Sequence, residues 1–160
     1  MTLPPIRRAT PADLTHIRQL AAQASTAAHW SSSQYDSLFA AEGPKRIAVI
    51  ATREAGPEPL VAFLVARCPD DEWEIENVVV DENERRAGVG SALVRFIATE
   101  AAASGARSIL LEVRESNGQA VRLYERIGFR CEGRRKGYYD DPAEDALLYR
   151  LPLQSCDKIP

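Results

Sequence analysis

Two stretches near the start of the chain carry the apolar spacing of helices. Leu14, Ile17 and Leu20 recur at helical intervals, which places them on one face. The pair Thr10–Pro11 stands just before them, and a hydroxyl followed by proline is typical of a helix N-terminus. The pattern therefore predicts a first helix from there onwards and a second, shorter helix over 32–41.

The rest of the chain alternates between extended and helical patterns. Strands are predicted over 46–52, 60–67, 73–80, 108–113, 129–138 and 145–151. Between them, one helix is predicted from Val89 to near Ser104, and another from a capping box that begins at Ser116 to Ile127. With a short strand ahead of the first helix, this order predicts an α/β (α+β) fold, with a mixed sheet of about seven strands and helices on both faces.

Length and composition limit the number of domains and the class of protein. The chain has 160 residues, of which 45% are hydrophobic and 27% charged. We expect one domain over 1–160, with its core over 6–151 and a frayed tail over 152–160. The formal net charge is -3, which argues against direct nucleic-acid binding because that needs a basic surface. A small anion held by local amide groups is not excluded by this balance.

Cysteine, histidine and apolar runs exclude further classes. The 3 cysteines form no CxxC pair, and with only 2 histidines we expect no metal site. No apolar run approaches the roughly 20 residues that cross a bilayer, and the first residues lack the apolar core of a secretory signal. We therefore expect a cytoplasmic protein with no membrane partner, either a monomer or a weak dimer.

The most informative stretch is the loop that follows the predicted strand at Val80 and opens the next helix. Its residues are Arg85, Arg86, Ala87, Gly88, Val89, Gly90 and Ser91. Such a loop directs free backbone N–H groups and the positive end of the helix dipole at one point, which suits phosphate. A tight turn that merely needs glycine is the alternative. The Walker pattern is excluded because serine, not lysine, follows Gly90, and the dinucleotide fingerprint because Leu93 replaces its third glycine.

Taken together, three segments resemble the GNAT superfamily of acetyl-CoA-dependent N-acetyltransferases. They are Arg85-x-x-Gly88-x-Gly90, then Leu111-Glu112-Val113, then Asn117 with Leu123-Tyr124-x-x-x-Gly128-Phe129. Within the superfamily the chain looks most like the RimI group, the ribosomal-protein-alanine N-acetyltransferases. The features that point there are Glu112-Val113-Arg114-x-Ser116-Asn117, the pair Tyr138-Tyr139, and Glu144-Asp145-Ala146. The resemblance extends over 6–151 and implies a V-splayed sheet whose splay admits coenzyme A.

The resemblance also implies which residues bind acetyl-CoA. The backbone of Val78, Val79 and Val80 is expected to pair with the pantetheine amides, as an added strand pairs with a sheet edge. We predict a bulge or splay near these three residues, because the strand edge must be open there. The loop over 85–91 is expected to hold the diphosphate. Asn117 is expected to donate a hydrogen bond to the pantetheine arm, besides its role at a helix N-terminus.

Glu112 and Tyr124 are the predicted catalytic residues. Glu112 stands in an otherwise apolar strand, where a carboxylate is costly unless it is hydrogen-bonded or holds a proton more tightly, as a general base does. A structural carboxylate paired with Arg114 or a backbone amide is the alternative. Tyr124 lies on the apolar stripe of its helix, so its residue pattern alone favours a core aromatic. The resemblance favours a general acid that protonates the thiolate of departing coenzyme A.

The acceptor is expected to be the N-terminal amine of a protein. The resemblance points to an alanine of a small-subunit ribosomal protein, with Trp30, Tyr138 and Tyr139 as substrate-binding aromatics. Acidic residues over 70–76 and 140–145 are either a solvated face or an acceptor groove that favours basic peptides. The alternatives are a related enzyme for lysine side chains or small amines, and a non-catalytic acyl-CoA sensor. Direct transfer in a ternary complex is expected, because no cysteine shows the surroundings of a nucleophile.

Overall fold

The computed structural model describes residues 2–24, 28, 30–53 and 60–153. The sequence also predicts a turn at 54–58 that joins the strands at 46–52 and 60–67 into a hairpin; this turn and the tail from 154 onwards lie outside the described residues. Seven strands are present: β1 (Ile6–Arg8), β2 (Arg46–Thr52), β3 (Leu60–Arg67), β4 (Glu72–Val80), β5 (Ser108–Arg114), β6 (Arg130–Asp140) and β7 (Ala143–Pro152). The helices are α1 (Leu14–Gln23), α2 (Ser32–Asp36), α3 (Val89–Ala103) and α4 (Gly118–Ile127), with 3-10 turns at Pro11–Asp13, Ser37–Phe39 and Glu82–Glu84.

The second helix is shorter than the sequence predicts. It begins with a capping box, in which the Ser31 hydroxyl accepts from the Gln34 N–H at 3.3 Å and the Gln34 side chain accepts from the Ser31 N–H at 2.8 Å. After Asp36 the chain tightens into a 3-10 turn, and at Ala40 the backbone becomes extended. The α-helix therefore ends five residues before the predicted end at residue 41, and the 3-10 turn that continues it ends two residues before.

The start of α4 also differs from the predicted capping box at Ser116. The cap is Asn117, whose Oδ1 accepts from the Ala120 N–H at 3.2 Å. Ser116 does not cap the helix. Its N–H instead donates to the Glu144 carboxylate, a distant partner in sequence, at 2.5 Å. At the other end the prediction is correct: Gly128 ends the helix with φ of 116°, a conformation that glycine adopts without strain.

All seven strands form one mixed sheet in the order β1-β2-β3-β4-β5-β7-β6. Neighbours are antiparallel except β4 and β5, which run parallel. Helices α3 and α4 cover one face over a core that includes Leu93, Ile97 and Leu111. Helices α1 and α2 cover part of the other face, over a second core that includes Ile17 and Phe63. The predicted mixed sheet with helices on both faces is confirmed.

The sheet splays and bulges in the middle of β4. Only Glu72–Ile75 of β4 pairs with β5, opposite Ser108–Leu111, and the described strands diverge beyond that point. On its other side β4 pairs with β3, where Val65 lies opposite Asn77 and Ala66 opposite Ile75. Glu76 is therefore an extra residue, the mark of a β-bulge. The predicted bulge or splay near 78–80 is confirmed.

The C-terminal strand is longer than predicted. It continues to Pro152, and the Leu153 N–H donates to the Arg107 carbonyl at 2.8 Å while its side chain packs against the α3 and α4 core. Residues 152 and 153 are thus ordered rather than frayed, because burial and a backbone hydrogen bond hold them. Among the described helices, none has the length and apolar character needed to span a bilayer.

Candidate active site

The loop between β4 and α3 presents unsatisfied amides, as its sequence predicts. Gly88 is the N-cap residue with φ of 84°, and the preceding Arg86 has φ of 65°. The first intrahelical hydrogen bond runs from the Ala92 N–H to the Gly88 carbonyl at 3.0 Å. The N–H groups of residues 89–91 have no acceptor within the helix, and the first turn carries no acidic side chain. Such a terminus suits an anion.

Gly90 is needed for packing as well as for access to the loop. A Cβ atom at this position would lie 3.0 Å from Leu123 Cδ1 and 3.6 Å from Val80 Cγ2. The first turn of α3 therefore rests directly on α4 and on the end of β4. This close approach brings the uncapped amides next to the strand end and next to the helix that carries Tyr124.

The backbone edge of Val78–Val80 that faces β5 is open. On the β3 side these residues pair with Leu64, Phe63 and Ala62, whereas on the β5 side pairing stops at Ile75 in the part of the sheet that is described. We call this stretch the open edge. A cleft of about 140 Å³ adjoins its end, with a lining that includes Leu20 and Gln23 of α1, Val80 and Arg85. The Arg85 Nε donates to the Val80 carbonyl at 3.3 Å, which fixes the start of the loop.

Glu112 lies on the face of β5 opposite α3 and α4, because Leu111 and Val113 point into the core beneath those helices. Its Oε1 is 3.2 Å from Arg135 Nε, and its side chain is 21% exposed. This ion pair fits the alternative of a paired carboxylate, but the partner is Arg135 rather than Arg114, whose Nη1 lies 3.2 Å from Glu144 Oε2. Interaction with the Glu112 carboxylate, followed by burial, raises the pKa of the Tyr138 hydroxyl.

Tyr124 is buried in α4 with its ring 5.6 Å from that of Phe129. Burial, and then the nearby Tyr139, raise the pKa of Tyr124 to about 12, so its hydroxyl is protonated at neutral pH. Within the described residues this hydroxyl has no hydrogen-bond partner, yet it is not among the fully buried unpaired atoms. A protonated hydroxyl with no partner among the described residues can donate a hydrogen bond to a ligand.

Tyr139 connects the two predicted catalytic residues. Burial and then the charge of Glu112 raise the pKa of Tyr139. Tyr139 in turn contributes to the raised pKa of Tyr124. The guanidinium of Arg114 covers the Tyr139 ring at 4.0 Å. Tyr138 packs edge-on against Tyr139 at 5.1 Å and is 47% exposed. The structure thus places Tyr139 near both Glu112 and Tyr124, with Tyr138 packed against Tyr139 and influenced by Glu112.

The acidic residues near the site are compensated by arginines. Pairs link Glu72 to Arg150 at 2.5 Å, Glu74 to Arg67 at 2.5 Å, Glu76 to Arg46 at 2.6 Å, and Asp145 to Arg134 at 3.0 Å. A carboxylate that already faces a guanidinium attracts a basic peptide less strongly than a free one. Most of the acidic residues predicted at 70–76 and 140–145 therefore stabilise the sheet face.

Trp30 lies on the α1 and α2 side of β4. Its ring packs 5.3 Å from Tyr35, and the Arg46 guanidinium covers it at 5.6 Å. Sequence reasoning missed the residues that hold this segment, Arg46 and Asn77. It also missed Arg135, the partner of Glu112. Asn77 has a visible signal, a lone amide before three valines, whereas the arginines resemble ordinary surface charges.

A splayed mixed sheet, with an open strand edge leading into an uncapped helix N-terminus, defines an acyltransferase-like site. Residues 12–129 match the family model described as acetyltransferase (GNAT) family. The chain belongs to this family. The predicted family, and with it the predicted class of enzyme, is confirmed.

Individual proteins are also similar to the chain in sequence or in structure. Over 96 residues the chain is 36% identical to the ribosomal protein bS18-alanine N-acetyltransferase of Escherichia coli (strain K12). The match covers 59% of this chain and 65% of that relative, so it spans less than two thirds of the relative's length. The crystal structure of the ribosomal-protein-S18-alanine N-acetyltransferase from Escherichia coli matches with a TM-score of 0.81 and 27% identity, over 99% of both chains. Arabidopsis thaliana NAA60 in complex with acetyl-CoA matches with a TM-score of 0.82 over 92% of this chain and 97% of that one, and its 21% identity shows a shared fold.

Proposed function

We propose that this chain is an acetyl-CoA-dependent N-acetyltransferase that modifies the N-terminal amine of a protein by direct transfer in a ternary complex. One observation carries the proposal. The open edge of β4 leads into the uncapped amides of α3, Glu112 is the first residue of β5 beyond the paired stretch, and Tyr139 lies near both Glu112 and Tyr124. A strand-like arm with an anionic end fits this arrangement.

The residues present suit acetyl-CoA. Gly88 lacks a side chain at the mouth of the loop, and the uncapped amides of 89–91 would hold the diphosphate. The open edge offers backbone groups to the two amides of pantetheine. Asn117 uses Oδ1 for its cap, which leaves its side-chain N–H groups for the same arm. Arg85, Arg86, Ala87 and Ser91 complete the proposed coenzyme site.

The proposed chemistry assigns one proton to each side of the splay. Glu112 accepts a proton from the acceptor ammonium, directly or through a water, so that the amine lone pair forms the new C–N bond to the acetyl carbon. Backbone N–H groups at the open edge polarise the carbonyl. As the tetrahedral intermediate collapses, the nitrogen releases its second proton to water and the C–S bond breaks. Tyr124 donates its proton to the leaving thiolate and is reprotonated from water, and Glu112 returns the proton that it accepted to water. The net change converts an ammonium and a thioester into an amide, a thiol and one released proton.

We infer that the acceptor is a protein N-terminus with alanine in first position, most directly that of a small-subunit ribosomal protein. The 36% identity to the Escherichia coli enzyme supports this acceptor. The exposure of Tyr138 also supports a peptide over a small enclosed amine, because the aromatic pair Tyr138 and Tyr139 borders an open surface. These two tyrosines and Trp30 are the proposed acceptor contacts.

A mass-spectrometric assay tests the proposal. The purified chain is mixed with acetyl-CoA and three acceptors: a peptide with N-terminal alanine, the same peptide N-terminally blocked but containing lysine, and a small free amine. We expect the mass gain of one acetyl group on the first peptide only. A gain on the blocked peptide alone would instead assign lysine side chains. Coenzyme binding without any product would identify an acyl-CoA sensor.

A further inference from the structure

The bulge in β4 places two consecutive side chains on the same face of the sheet. In a regular strand Ile75 and Asn77 would point the same way, but here Ile75 belongs to the core under α3 and α4, whereas Asn77 contacts Tyr35 on the α1 and α2 side. Glu76, the extra residue of the bulge, reaches the same side and binds Arg46. Glu76 and Asn77 thus both face the segment that carries Trp30.

Asn77 is a buried amide with two defined partners. It is 4% exposed. Its Oδ1 accepts from the Ala28 N–H at 3.2 Å, and its Nδ2 donates to the Tyr35 hydroxyl at 3.4 Å. Burying an amide is costly unless it is hydrogen-bonded, so an apolar residue here would be the simpler solution for packing alone. The amide instead ties the backbone next to Trp30 to the strand.

Glu76 supports the same segment from a second direction. Its two carboxylate oxygens accept from Arg46 Nε at 2.6 Å and Nη2 at 3.2 Å. Held in this way, the Arg46 guanidinium covers one side of the Trp30 ring, and Tyr35 packs on the ring at 5.3 Å. Trp30 is therefore fixed through two neighbouring residues of one bulge.

We propose that Asn77 is a positioning residue for the acceptor side of the active site, with the Glu76–Arg46 pair as its second support. The inference rests on the proposed function, because it takes Trp30 as an acceptor contact. The bulge that opens the edge at 78–80 for the coenzyme also holds the Trp30 segment, so one irregularity sets the distance between the two substrates. Loss of Asn77 is expected to weaken the acceptor's binding and leave that of acetyl-CoA unchanged.

Trp30 itself supplies the measurement. The sequence contains 2 tryptophans, and replacing the buried Trp73 by phenylalanine leaves Trp30 as the sole reporter. In this background, Asn77→Leu is expected to lower the fluorescence anisotropy of Trp30 and increase its quenching by acrylamide. It should raise the KM for the acceptor peptide about tenfold, the effect of losing one backbone hydrogen bond, with the KM for acetyl-CoA unchanged.

Ser108→Ala is the matched control. Ser108 is the other buried polar residue of the described chain, and it lies at the paired end of β5 beside Glu72 and Arg150, away from the splay. Its loss should lower stability without changing Trp30 anisotropy or either KM. If Asn77→Leu does not fold, Arg46→Gln tests the same support from the surface and should lower Trp30 anisotropy in the same direction.

The outcomes separate this inference from the proposed function. Unchanged Trp30 anisotropy in the folded variant, or a KM for acetyl-CoA that rises as much as the acceptor's, would overturn the positioning role. If the unmodified protein acetylates no peptide, the proposed function fails, and the anisotropy comparison between Asn77→Leu and Ser108→Ala still decides whether Asn77 holds the Trp30 segment.

Discussion

Two buried tyrosines allow the proposed general acid to be separated from an ordinary core hydroxyl. Tyr124 and Tyr149 are 8% and 3% exposed, and the pKa of each is raised to about 12, mainly by burial. They differ in their hydroxyl partners. The Tyr149 hydroxyl donates to Glu125 Oε1 at 3.0 Å, whereas that of Tyr124 has no partner in the described part of the chain. Replacing each by phenylalanine removes one oxygen and leaves the ring in place.

The expected effects of the two substitutions are opposite. Tyr149→Phe removes a hydrogen bond to a solvent-exposed carboxylate, which is worth about 1 kcal/mol and lowers Tm by roughly 2–4 °C for a chain of this size. Its activity should stay near that of the unmodified protein. Tyr124→Phe removes no hydrogen bond among the residues that the structure describes, so Tm should hold or rise. Its kcat should fall by about 10²-fold or more, as expected for loss of a general acid.

The assay combines thermal unfolding with steady-state acetylation of the N-terminal alanine peptide. Coenzyme binding is measured separately by calorimetry and should differ little between the two variants. Equal loss of activity in both variants would show that the effect comes from packing. Full activity of Tyr124→Phe would remove this hydroxyl from the mechanism, and a large fall in its Tm would mean that the hydroxyl has a structural partner.

Three further substitutions test other parts of the site and fold. Glu112→Gln should lower kcat by about 10²–10⁴-fold with acetyl-CoA affinity nearly intact, and a variant with unchanged kcat across the pH range would rule out Glu112 as the base. Gly88→Val places a branched side chain at φ of 84°, so the free energy of unfolding should fall by about 1–2 kcal/mol. The Kd for the coenzyme should rise more than the KM for the acceptor. An unchanged Kd would mean that the loop is only a turn. The hydrogen bond from Arg7 outweighs burial and lowers the pKa of Asp13 below its ordinary 3.8. The ionised Asp13 carboxylate therefore contributes stability above pH 3.8, and this contribution is lost as the pH falls through the pKa of the folded state. Asp13→Asn should therefore be less stable than the unmodified chain at pH 7 and should lose less stability on acidification, as followed by urea unfolding at pH 7 and pH 3; parallel pH dependences would contradict this account.

The elements near the site follow from local patterns because their determinants are close in the chain. The glycine loop before α3 is predicted because two glycines and a strand end within ten residues leave few other conformations. The cap of α4 shows where such reasoning fails. Ser116 and Asn117 are both good caps, and the choice between them depends on Glu144, a residue 28 positions away whose carboxylate binds the Ser116 N–H.

The predicted roles of Glu112 and Tyr124 come from resemblance, whereas their surroundings come from the fold. An isolated carboxylate in an apolar strand indicates that a partner is needed, without indicating which one. Arg114 is the arginine nearest in sequence. Strand pairing, however, brings β6 alongside β5 across the intervening β7, close enough for the long side chain of Arg135 to reach Glu112 diagonally. Register, which depends on the whole sheet, decides this contact.

By itself, the sequence determined the order of the elements and the glycine loop, since these depend on nearby residues and on periodicity. Its resemblance to a family also proposed Glu112 and Tyr124 for proton transfer. The tertiary structure alone decided that β4 carries its extra residue at Glu76, that β4 and β5 separate after Ile75, and that Asn77 turns towards the Trp30 segment. The physical reason is that a bulge flips the face of every later side chain in the strand. Its position is set by pairing between strands, and no local pattern encodes it.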